Sequence, residues 1–414
     1  MRAASRSVNL PLDAHHLAAY PRESAVGNVE RVIRAAGRLA PLTVHILCNT
    51  MLFAMWRQWL VRIGLGLVAA GAASLLALWL DHRRATELPA PTGSFAIGRT
   101  TYTWSDINAW VWYPAAFPAP ADAYLPPAIR AEWERTRPSF INFLTRDLSK
   151  VRGHSARDAD LSPAQPTYPI VILRGSALNF SSLAEDLASH GYVVVGLEIT
   201  AAGNPEACVG RADEEDCVNK IMAPLITGIG RAIDRLQTLN RDDPRFAGKL
   251  DLTRVGVFGH SFGGAQAAQF CSQDARCTAG IDIDGRPFGS VITTGIRVPF
   301  MFLLSDHGTP DDEVSLRILG QIQAIYDQQP RDTRLRIAIR GSHHFTFSDD
   351  GALLKSGLFR GVLRVLAGLR LEGRRQVEVT AYAVRTFFDA HLKGATRSTV
   401  ALPAAAFPEI VVLQ

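Results

Sequence analysis

The sequence predicts an α/β protein built on a doubly wound, mostly parallel sheet. From residue 168 onward, short runs that are apolar at nearly every position alternate with helical stretches. Such continuous runs are typical of parallel strands buried on both faces, because a half-exposed strand would alternate apolar and polar residues. Alternation of strands and helices implies right-handed crossovers. The apolar runs lie at 170–173, 193–197, 255–258, 280–283, 300–304 and 335–339.

The N-terminal arm carries the excess positive charge of the chain. The formal net charge is +5, and residues 1–62 contain eight arginines, no lysine and three acidic residues. The rest of the chain is therefore balanced. Proteins that bind nucleic acid carry a basic stripe on the folded part, often with interleaved aromatic residues. The sequence after the arm has no such stripe, so we predict no nucleic-acid partner.

An uncharged apolar segment follows the arm at 63–80. Its length is sufficient for a transmembrane helix, and Trp56, Trp59 and Trp79 lie at its ends as interfacial anchors would. No small-x-small cleavage site follows, since the segment continues into the charged residues 81–84. We predict an uncleaved signal anchor that attaches the protein to a membrane. The alternatives are a cleaved signal peptide, which gives a secreted protein, and a buried helix.

The cysteines after the arm form two close pairs, Cys208 with Cys217 and Cys271 with Cys277. An even number of cysteines in local pairs predicts two short disulfide loops and an oxidising compartment, although free buried thiols are the alternative. We therefore expect the domain that follows the anchor to lie on the extracytoplasmic side, in the periplasm or outside the cell.

The predicted domain organisation is simple. The stretch 81–98, whose second half is rich in proline, alanine and glycine, is predicted to be a linker, and 99–414 a single folded domain. The segment 107–113 is expected to be a strand. The expected helices are a helical patch within the proline-containing region 115–168, at 129–150, stretches between the strands at 181–189, 225–239, 265–273 and 314–326, and closing helices at 358–369 and 377–392.

A serine flanked by glycines lies between an apolar run and a helical stretch. The segment 259–264 reads Gly-His-Ser-Phe-Gly-Gly, with the serine at position 261. Strand, glycine-flanked serine and helix form the nucleophile elbow of the α/β-hydrolases, a strained turn that exposes the serine hydroxyl above the sheet. Glycines are needed because a Cβ there would collide with neighbouring backbone. The sequence therefore predicts an α/β-hydrolase fold with Ser261 as nucleophile.

A nucleophilic serine needs an imidazole base and a carboxylate that orients it. In this fold they follow the serine in the order acid, then histidine. The segment after 335–339 offers His343 and His344, and two acids end strands, Asp284 and Asp306. The general fold more often places its acid one strand later, which favours Asp306. The residues alone leave both choices open.

The chain from 168 to 350 resembles the platelet-activating-factor acetylhydrolase family, the plasma-type serine esterases and their bacterial relatives. The matching motifs are LASHGYVV at 187–194, the elbow at 259–264, GIDID at 280–284 and IRGSHH at 339–344. The resemblance implies a catalytic triad of Ser261, Asp284 and His344. It also implies hydrolysis of a small ester or lipid through an acyl-enzyme, with no metal or organic cofactor.

The resemblance also implies an oxyanion hole made of two backbone N–H groups. One belongs to the residue after the nucleophile, here Phe262. The other follows a His-Gly pair in the family, which makes Ser176 the donor in this chain, where the pair reads Arg174-Gly175. Alternatives to the esterase are a cutinase-like enzyme, a thioesterase, a peptidase, or a catalytically inactive hydrolase fold that serves as a binding protein.

Overall fold

The computed structural model describes residues 25–199, 203–306, 312–354, 370–395 and 405–413, with side chains from residue 51 onward except at 140 and 141. The chain divides into two compact units, Met1–Leu76 and Ala77–Gln414. The predicted helix at 358–369 and the start of the predicted arm lie outside the described residues.

A long helix, α1, runs from Ala25 to His82. Within Met51–His82, an 18-residue apolar window has a mean hydropathy of 2.1, and none of its residues is buried in the protein. The hydroxyl of Ser74 donates to the carbonyl of Ala70 at 2.8 Å, so this polar group is satisfied within the helix, as a lipid environment would require. Length and composition make this helix a candidate membrane span. They fit a membrane-anchored and a secreted protein alike.

The second unit is built on one ten-stranded sheet, and its central strands run parallel. Along the sheet the order is β12-β11-β10-β9-β8-β6-β7-β3-β2-β5, and a separate parallel pair joins β1 to β4. The strands are β1 Thr86–Glu87, β2 Ala96–Trp104, β3 Ile107–Ala115, β4 Val151–Arg152, β5 Ser155–Arg157, β6 Tyr168–Arg174, β7 Val193–Ile199, β8 Leu250–His260, β9 Ala279–Ile283, β10 Phe300–Leu304, β11 Arg334–Ile339 and β12 Ile410–Val412.

Helices cover both faces of the sheet. They are α2 Pro127–Thr136, α3 Ser139–Leu144, α4 Ser181–Ser189, α5 Glu214–Asp242, α6 Phe262–Gln273, α7 Val291–Thr294, α8 Glu313–Gln328, α9 Asp349–Leu353 and α10 Gly373–Leu392, with 3-10 turns at Leu148–Lys150, Ala177–Phe180, Pro205–Cys208 and His344–Phe347. Two hydrophobic clusters share β6 by alternate residues, and alternate residues of a strand face opposite sides. One cluster includes α4 and α10, the other α5, α6 and α8.

The predicted fold class is therefore confirmed. Each apolar run of the sequence falls in one of the parallel strands β6 to β11, and the predicted strand at 107–113 is β3. Strands β7 and β3 pair antiparallel, as do β3 and β2, so the sheet is mixed at this edge. The helical patch predicted at 129–150 is two helices and a 3-10 turn, because Pro138 cannot continue α2 and disfavours helical backbone at Arg137.

Strand β2 was not predicted from the sequence. It begins at Ala96, inside the predicted linker, and its burial alternates towards Trp104. The segment before it is bound to α4, since the Thr92 N–H and hydroxyl donate to Asp186 at 2.9 and 2.7 Å and the Phe95 N–H donates to the Ser189 carbonyl at 3.0 Å. Half of the predicted linker is therefore packed against the second unit.

Both predicted disulfides are formed. Cys208 and Cys217 join the 3-10 turn before α5 to the first turns of that helix, with Cα atoms 5.7 Å apart. Cys271 and Cys277 join the end of α6 to the segment before β9, with Cα atoms 5.1 Å apart. The second bridge lies on the helix that begins immediately after Ser261.

Candidate active site

The predicted elbow is a sharp turn between β8 and α6. Ser261 has φ 55° and ψ −124°, a conformation that is strained for a residue with a side chain. A Cβ on Gly259 would lie 2.3 Å from the carbonyl carbon of Gly263, and a Cβ on Gly263 would lie 2.3 Å from the Arg174 carbonyl oxygen. Only glycine fits at these two positions. The turn is closed by the Ser261 N–H, which donates to the Ile283 carbonyl at 2.9 Å.

Ser261, His344 and Asp284 lie in one hydrogen-bonded chain. Nε2 of His344 is 3.2 Å from Oγ of Ser261, and Nδ1 of His344 is 2.7 Å from Oδ2 of Asp284. A carboxylate only accepts hydrogen bonds, so Nδ1 carries the imidazole proton and Nε2 is free to accept one from the serine. The Asp284 side chain is 1% exposed and that of His344 is 29% exposed, so the imidazole faces solvent while the carboxylate is buried.

The acid is fixed by a turn at the end of β9. Asp284 has φ 54°, and its N–H donates to the Leu303 carbonyl at 2.8 Å. Ser305, which follows β10, donates its N–H to Oδ1 at 2.8 Å and its hydroxyl to Oδ2 at 2.7 Å. Both carboxylate oxygens therefore have partners besides the imidazole. This arrangement sets the direction in which the carboxylate meets His344.

The base lies on the 3-10 turn at His344–Phe347, which α10 holds in place. Gln376 of α10 is fully buried; its side-chain N–H donates to the His343 carbonyl at 3.0 Å, and its carbonyl oxygen accepts from the His343 N–H at 3.2 Å. The hydroxyl of Thr346 also donates to this oxygen. One buried amide therefore holds the backbone of His343, directly before His344, and the side chain of Thr346, two residues after it.

Asp306, the alternative acid, holds the loop that carries the base. Its Oδ2 accepts from the Gly341 N–H at 2.7 Å, and its own N–H donates to the Ser342 hydroxyl at 3.2 Å. The carboxylate at Nδ1 of His344 is that of Asp284. The general rule of the fold favoured Asp306, but in this structure Asp284 is the acid that bonds to His344.

Comparisons with known proteins find similarity to esterases. The family model for platelet-activating factor acetylhydrolase, isoform II, matches residues 211–395. The chain is 28% identical over 218 residues to a platelet-activating factor acetylhydrolase of Cavia porcellus, covering 44% of this chain and 48% of the relative. It is 22% identical over 360 residues to that of Canis lupus familiaris, covering 75% of this chain and 78% of the relative.

The chain is therefore similar to the platelet-activating factor acetylhydrolase family over residues 211–395. Another relative is a probable 1-alkyl-2-acetylglycerophosphocholine esterase of Arthroderma benhamiae, 26% identical over 256 residues that cover 57% of this chain and 62% of the relative. The chain thus spans about half to two thirds of the length of the first two relatives. A ferulic acid esterase from Streptomyces cinnamoneus has the same fold, with a TM-score of 0.63 and 23% identity over 80% of this chain and 100% of the other.

The two predicted oxyanion donors lie in loops that pack closely against each other. Phe262 is the first residue of α6, so its N–H has no acceptor within the helix. Ser176 follows Gly175, whose φ is 113°, and precedes the 3-10 turn at Ala177–Phe180. A Cβ on Gly263 would lie 3.1 Å from the Gly175 nitrogen, which shows how closely the two loops pack.

Arg174, which replaces the family's histidine, is bound away from these donors. Its side chain is buried, donates to Gln266 of α6 at 2.9 Å and also donates to the Leu197 carbonyl of β7. Burial lowers the pKa of Arg174 to about 10, while the neighbouring Glu198 raises it. The guanidinium is therefore charged at neutral pH and joins β6 to its neighbours in the sheet.

His260, which precedes the nucleophile, contacts the base directly. Its Nε2 is 2.9 Å from the His344 carbonyl oxygen, and since a carbonyl only accepts, this nitrogen carries the proton. Burial, together with the neighbouring His344, lowers the pKa of His260 to about 4, while Asp284 opposes this shift. His260 is therefore neutral and serves as a donor. In the sequence, the indication of a role for His260 is its position inside the elbow, directly before Ser261.

Asp282 lies beneath both the elbow and the acid turn. It is fully buried, and its Oδ1 accepts from the Gly285 N–H at 2.8 Å. A Cβ on Gly264 would lie 1.9 Å from the same oxygen, so α6 begins in direct contact with this carboxyl group. Burial, together with the negative charge of Asp284, raises the pKa of Asp282 to about 8, although the hydrogen bond from the Gly285 N–H opposes this shift. Among the described residues, no group of three or more His, Cys, Asp or Glu side chains could hold a metal ion.

Proposed function

We propose that this protein is a serine esterase that hydrolyses carboxylic esters through an acyl-enzyme on Ser261. The observation that carries the proposal is the chain of hydrogen bonds from Ser261 through His344 to Asp284, with 3.2 and 2.7 Å between the bonded atoms. The names of the relatives, acetylhydrolase and esterase, support the same reaction class.

In the first half of the reaction, Oγ of Ser261 adds to the ester carbonyl carbon while its proton passes to Nε2 of His344. The tetrahedral intermediate carries a negative oxygen and collapses with cleavage of the bond to the alcohol oxygen. That oxygen takes the proton from Nε2, and the alcohol leaves. Asp284 stays ionised throughout and stabilises the imidazolium.

In the second half, water adds to the acyl carbonyl and gives a proton to Nε2 of His344. The second tetrahedral intermediate collapses with cleavage of the bond to Oγ of Ser261, which regains the proton. The carboxylic acid is released and the enzyme is restored. No group outside the triad and water is needed to balance these steps.

The N–H groups of Phe262 and Ser176 would stabilise the negative oxygen of both intermediates. Donors fixed in advance by the fold are worth about 3–4 kcal/mol each at such a site, because they need no reorganisation when the charge develops. The contact between the two loops at Gly263 and Gly175 supports this assignment, since it fixes the spacing of the donors.

Short acyl esters, including acetyl esters of glycerophospholipids, are the substrates we propose. The relatives' names carry this assignment, since they are acetylhydrolases or an acetylglycerophosphocholine esterase. We further propose that 63–80, within α1, anchors the enzyme to a membrane and that the catalytic unit faces an oxidising, extracytoplasmic compartment. The two disulfides of that unit support this side, because disulfides persist in oxidising compartments.

The test is hydrolysis of p-nitrophenyl esters of increasing acyl length by the purified full chain, with Ser261→Ala as the matched control. We expect turnover that is greatest with acetate or butyrate and absent in the variant. A wild-type protein that cleaves a p-nitroanilide faster than every ester would favour the peptidase alternative. One that cleaves a thioester faster than every ester would favour the thioesterase alternative. A wild-type protein that cleaves none of them would favour the inactive binding protein.

A further inference from the structure

Phe345, the residue after the base, presents its ring to solvent. The residue is 72% exposed, although Phe347 two positions later is fully buried. Its ring stands nearly perpendicular to the imidazole of His344, at 84°, with 5.3 Å between ring centroids. The ring of His343 also lies near it, with 5.6 Å between ring centroids. An apolar ring therefore lies exposed against the imidazole.

The backbone that carries Phe345 is fixed, so the exposure of the ring is built into the fold. The Phe345 N–H donates to Nδ1 of His343 at 3.4 Å, and the Phe345 carbonyl accepts from the Ser348 hydroxyl at 3.3 Å. The turn itself is held by the buried amide of Gln376. A phenyl ring on a fixed turn loses little freedom when a ligand covers it, and that favours binding.

The chemistry of the proposed reaction says which part of an ester meets this ring. Nε2 of His344 must deliver its proton to the oxygen of the leaving alcohol, so that oxygen lies at the imidazole during acylation. The rest of the alcohol therefore lies on the imidazole side of the bond that breaks. Phe345 is an exposed apolar residue on that side, with 5.3 Å between its ring centroid and that of His344.

We infer that Phe345 binds the alcohol portion of the substrate and selects esters whose leaving alcohol carries an aromatic or other bulky apolar group. This inference rests on the proposed esterase function and adds to it a preference on the alcohol side. A hydrophobic contact of this kind discriminates between substrates by about ten- to two hundredfold when it is well packed. Because Phe345 is exposed, a substrate would cover only part of its ring, and we expect discrimination at the lower end of that range.

The test compares benzyl acetate with ethyl acetate at concentrations where both are dissolved as monomers. Both are esters of primary alcohols and need the same proton from His344, so their ratio of kcat/KM isolates contact with the alcohol group. We expect Phe345→Ala to lower the benzyl to ethyl ratio by roughly tenfold and Phe345→Tyr to keep it. Phe345→Leu should give an intermediate ratio, because it keeps an apolar side chain without the ring.

Phe117→Ala is the matched control. Phe117 is 78% exposed and follows β3, which pairs antiparallel with β7, so it lies at the end of the sheet opposite Ser261. Its ratio should equal that of the wild type. Labelling of Ser261 by a fluorophosphonate, measured for every variant, separates a changed preference from a misfolded protein.

An unchanged ratio in a Phe345→Ala protein that still labels would overturn this inference alone. An equal loss on both esters would overturn it too, since the ring would then act on the triad and not on the alcohol. A wild-type protein that hydrolyses neither ester would overturn the proposed function, and this inference with it.

Discussion

His260 and His344 are joined by a 2.9 Å hydrogen bond between the imidazole Nε2 of the first and the backbone carbonyl of the second, and their rings lie 4.5 Å apart. The residue before the nucleophile thus holds the backbone of the base. Since Ser261 is next in the chain, this bond fixes the distance between nucleophile and base independently of their own weak 3.2 Å contact.

Replacing His260 by phenylalanine should slow turnover without preventing folding. The ring would still pack against Phe180 and Phe347, whose centroids lie 5.5 and 5.8 Å away, but the donor to the His344 carbonyl would be lost. A lost hydrogen bond of this kind is worth about 0.5–1.5 kcal/mol, so kcat should fall by roughly two- to thirteenfold. Steady-state kinetics on p-nitrophenyl acetate measures this, and an unchanged kcat would show that the bond does not position the base.

The two candidate acids should respond very differently to removal of their charge. Asp284→Asn should lower kcat on the order of 10⁴-fold, because an amide at Nδ1 of His344 favours the wrong tautomer. Asp306→Asn should lower it by less than about tenfold, since the amide oxygen can still accept from the Gly341 N–H. The measurement is kcat of Asp284→Asn and of Asp306→Asn, with circular dichroism used to check that both variants are folded. Equal losses, or a larger loss at Asp306, would reverse the assignment of the acid.

Asp282 should make the protein less stable as the pH rises. Its pKa in the folded protein is about 8 against an ordinary value of 3.8, so between these values the folded state holds one more proton than the unfolded chain. The contribution of this group to stability is complete below pH 3.8 and is lost as the pH rises through 8. The free energy of unfolding should therefore decrease with pH by about 1 kcal/mol per pH unit from this group.

Asp282→Asn should remove that part of the pH dependence, because an amide does not titrate and its oxygen can still accept from the Gly285 N–H. Urea unfolding at pH 5 and pH 8, followed by circular dichroism, gives both slopes. We expect a shallower slope for the variant. Parallel slopes in the two proteins would mean that the buried carboxyl group is already ionised at pH 5.

The disulfide at Cys271 and Cys277 should stabilise the helix that carries the elbow. The bridge closes a loop with a sequence separation of 6, and the constraint on the unfolded chain is worth about 2–3 kcal/mol. Cys277→Ser in the oxidised protein should lower the free energy of unfolding by that amount, with Cys48→Ser in the arm as the control. A stability unchanged by Cys277→Ser but lowered by Cys48→Ser would contradict the pairing.

The sequence predicted the elements whose signal is local. Parallel strands that are buried on both faces are apolar at nearly every position, so strands β6 to β11 could be predicted. The elbow could be predicted because it needs glycines at fixed positions around Ser261. Strand β2 was missed because it begins inside a segment that has the composition of a linker, and because its second half alternates between exposed and half-buried residues. Short edge strands such as β12 have too few residues to show a period.

The features of the site that the sequence did not predict depend on contacts between residues far apart in the chain. The bond from His260 to His344 spans 84 positions, and that from Gln376 to His343 spans 33. The choice between Asp284 and Asp306 depends on a left-handed turn at Asp284, with φ 54°, which no pattern in the sequence announces. The family resemblance favoured Asp284 because it compares whole motifs, whereas the general rule compares only strand order.

The most direct test of the central proposal is the mass of the intact full chain after treatment with a fluorophosphonate. We predict that the wild type gains one phosphonyl group, that peptide mapping places it on Ser261, and that Ser261→Ala gains none. An unlabelled Ser261→Ala protein shows that no other residue reacts. His344→Ala should label far more slowly than the wild type, because the serine loses its base. A wild-type protein that stays unlabelled, or a label that persists in Ser261→Ala, would contradict the proposal that Ser261 is an activated nucleophile.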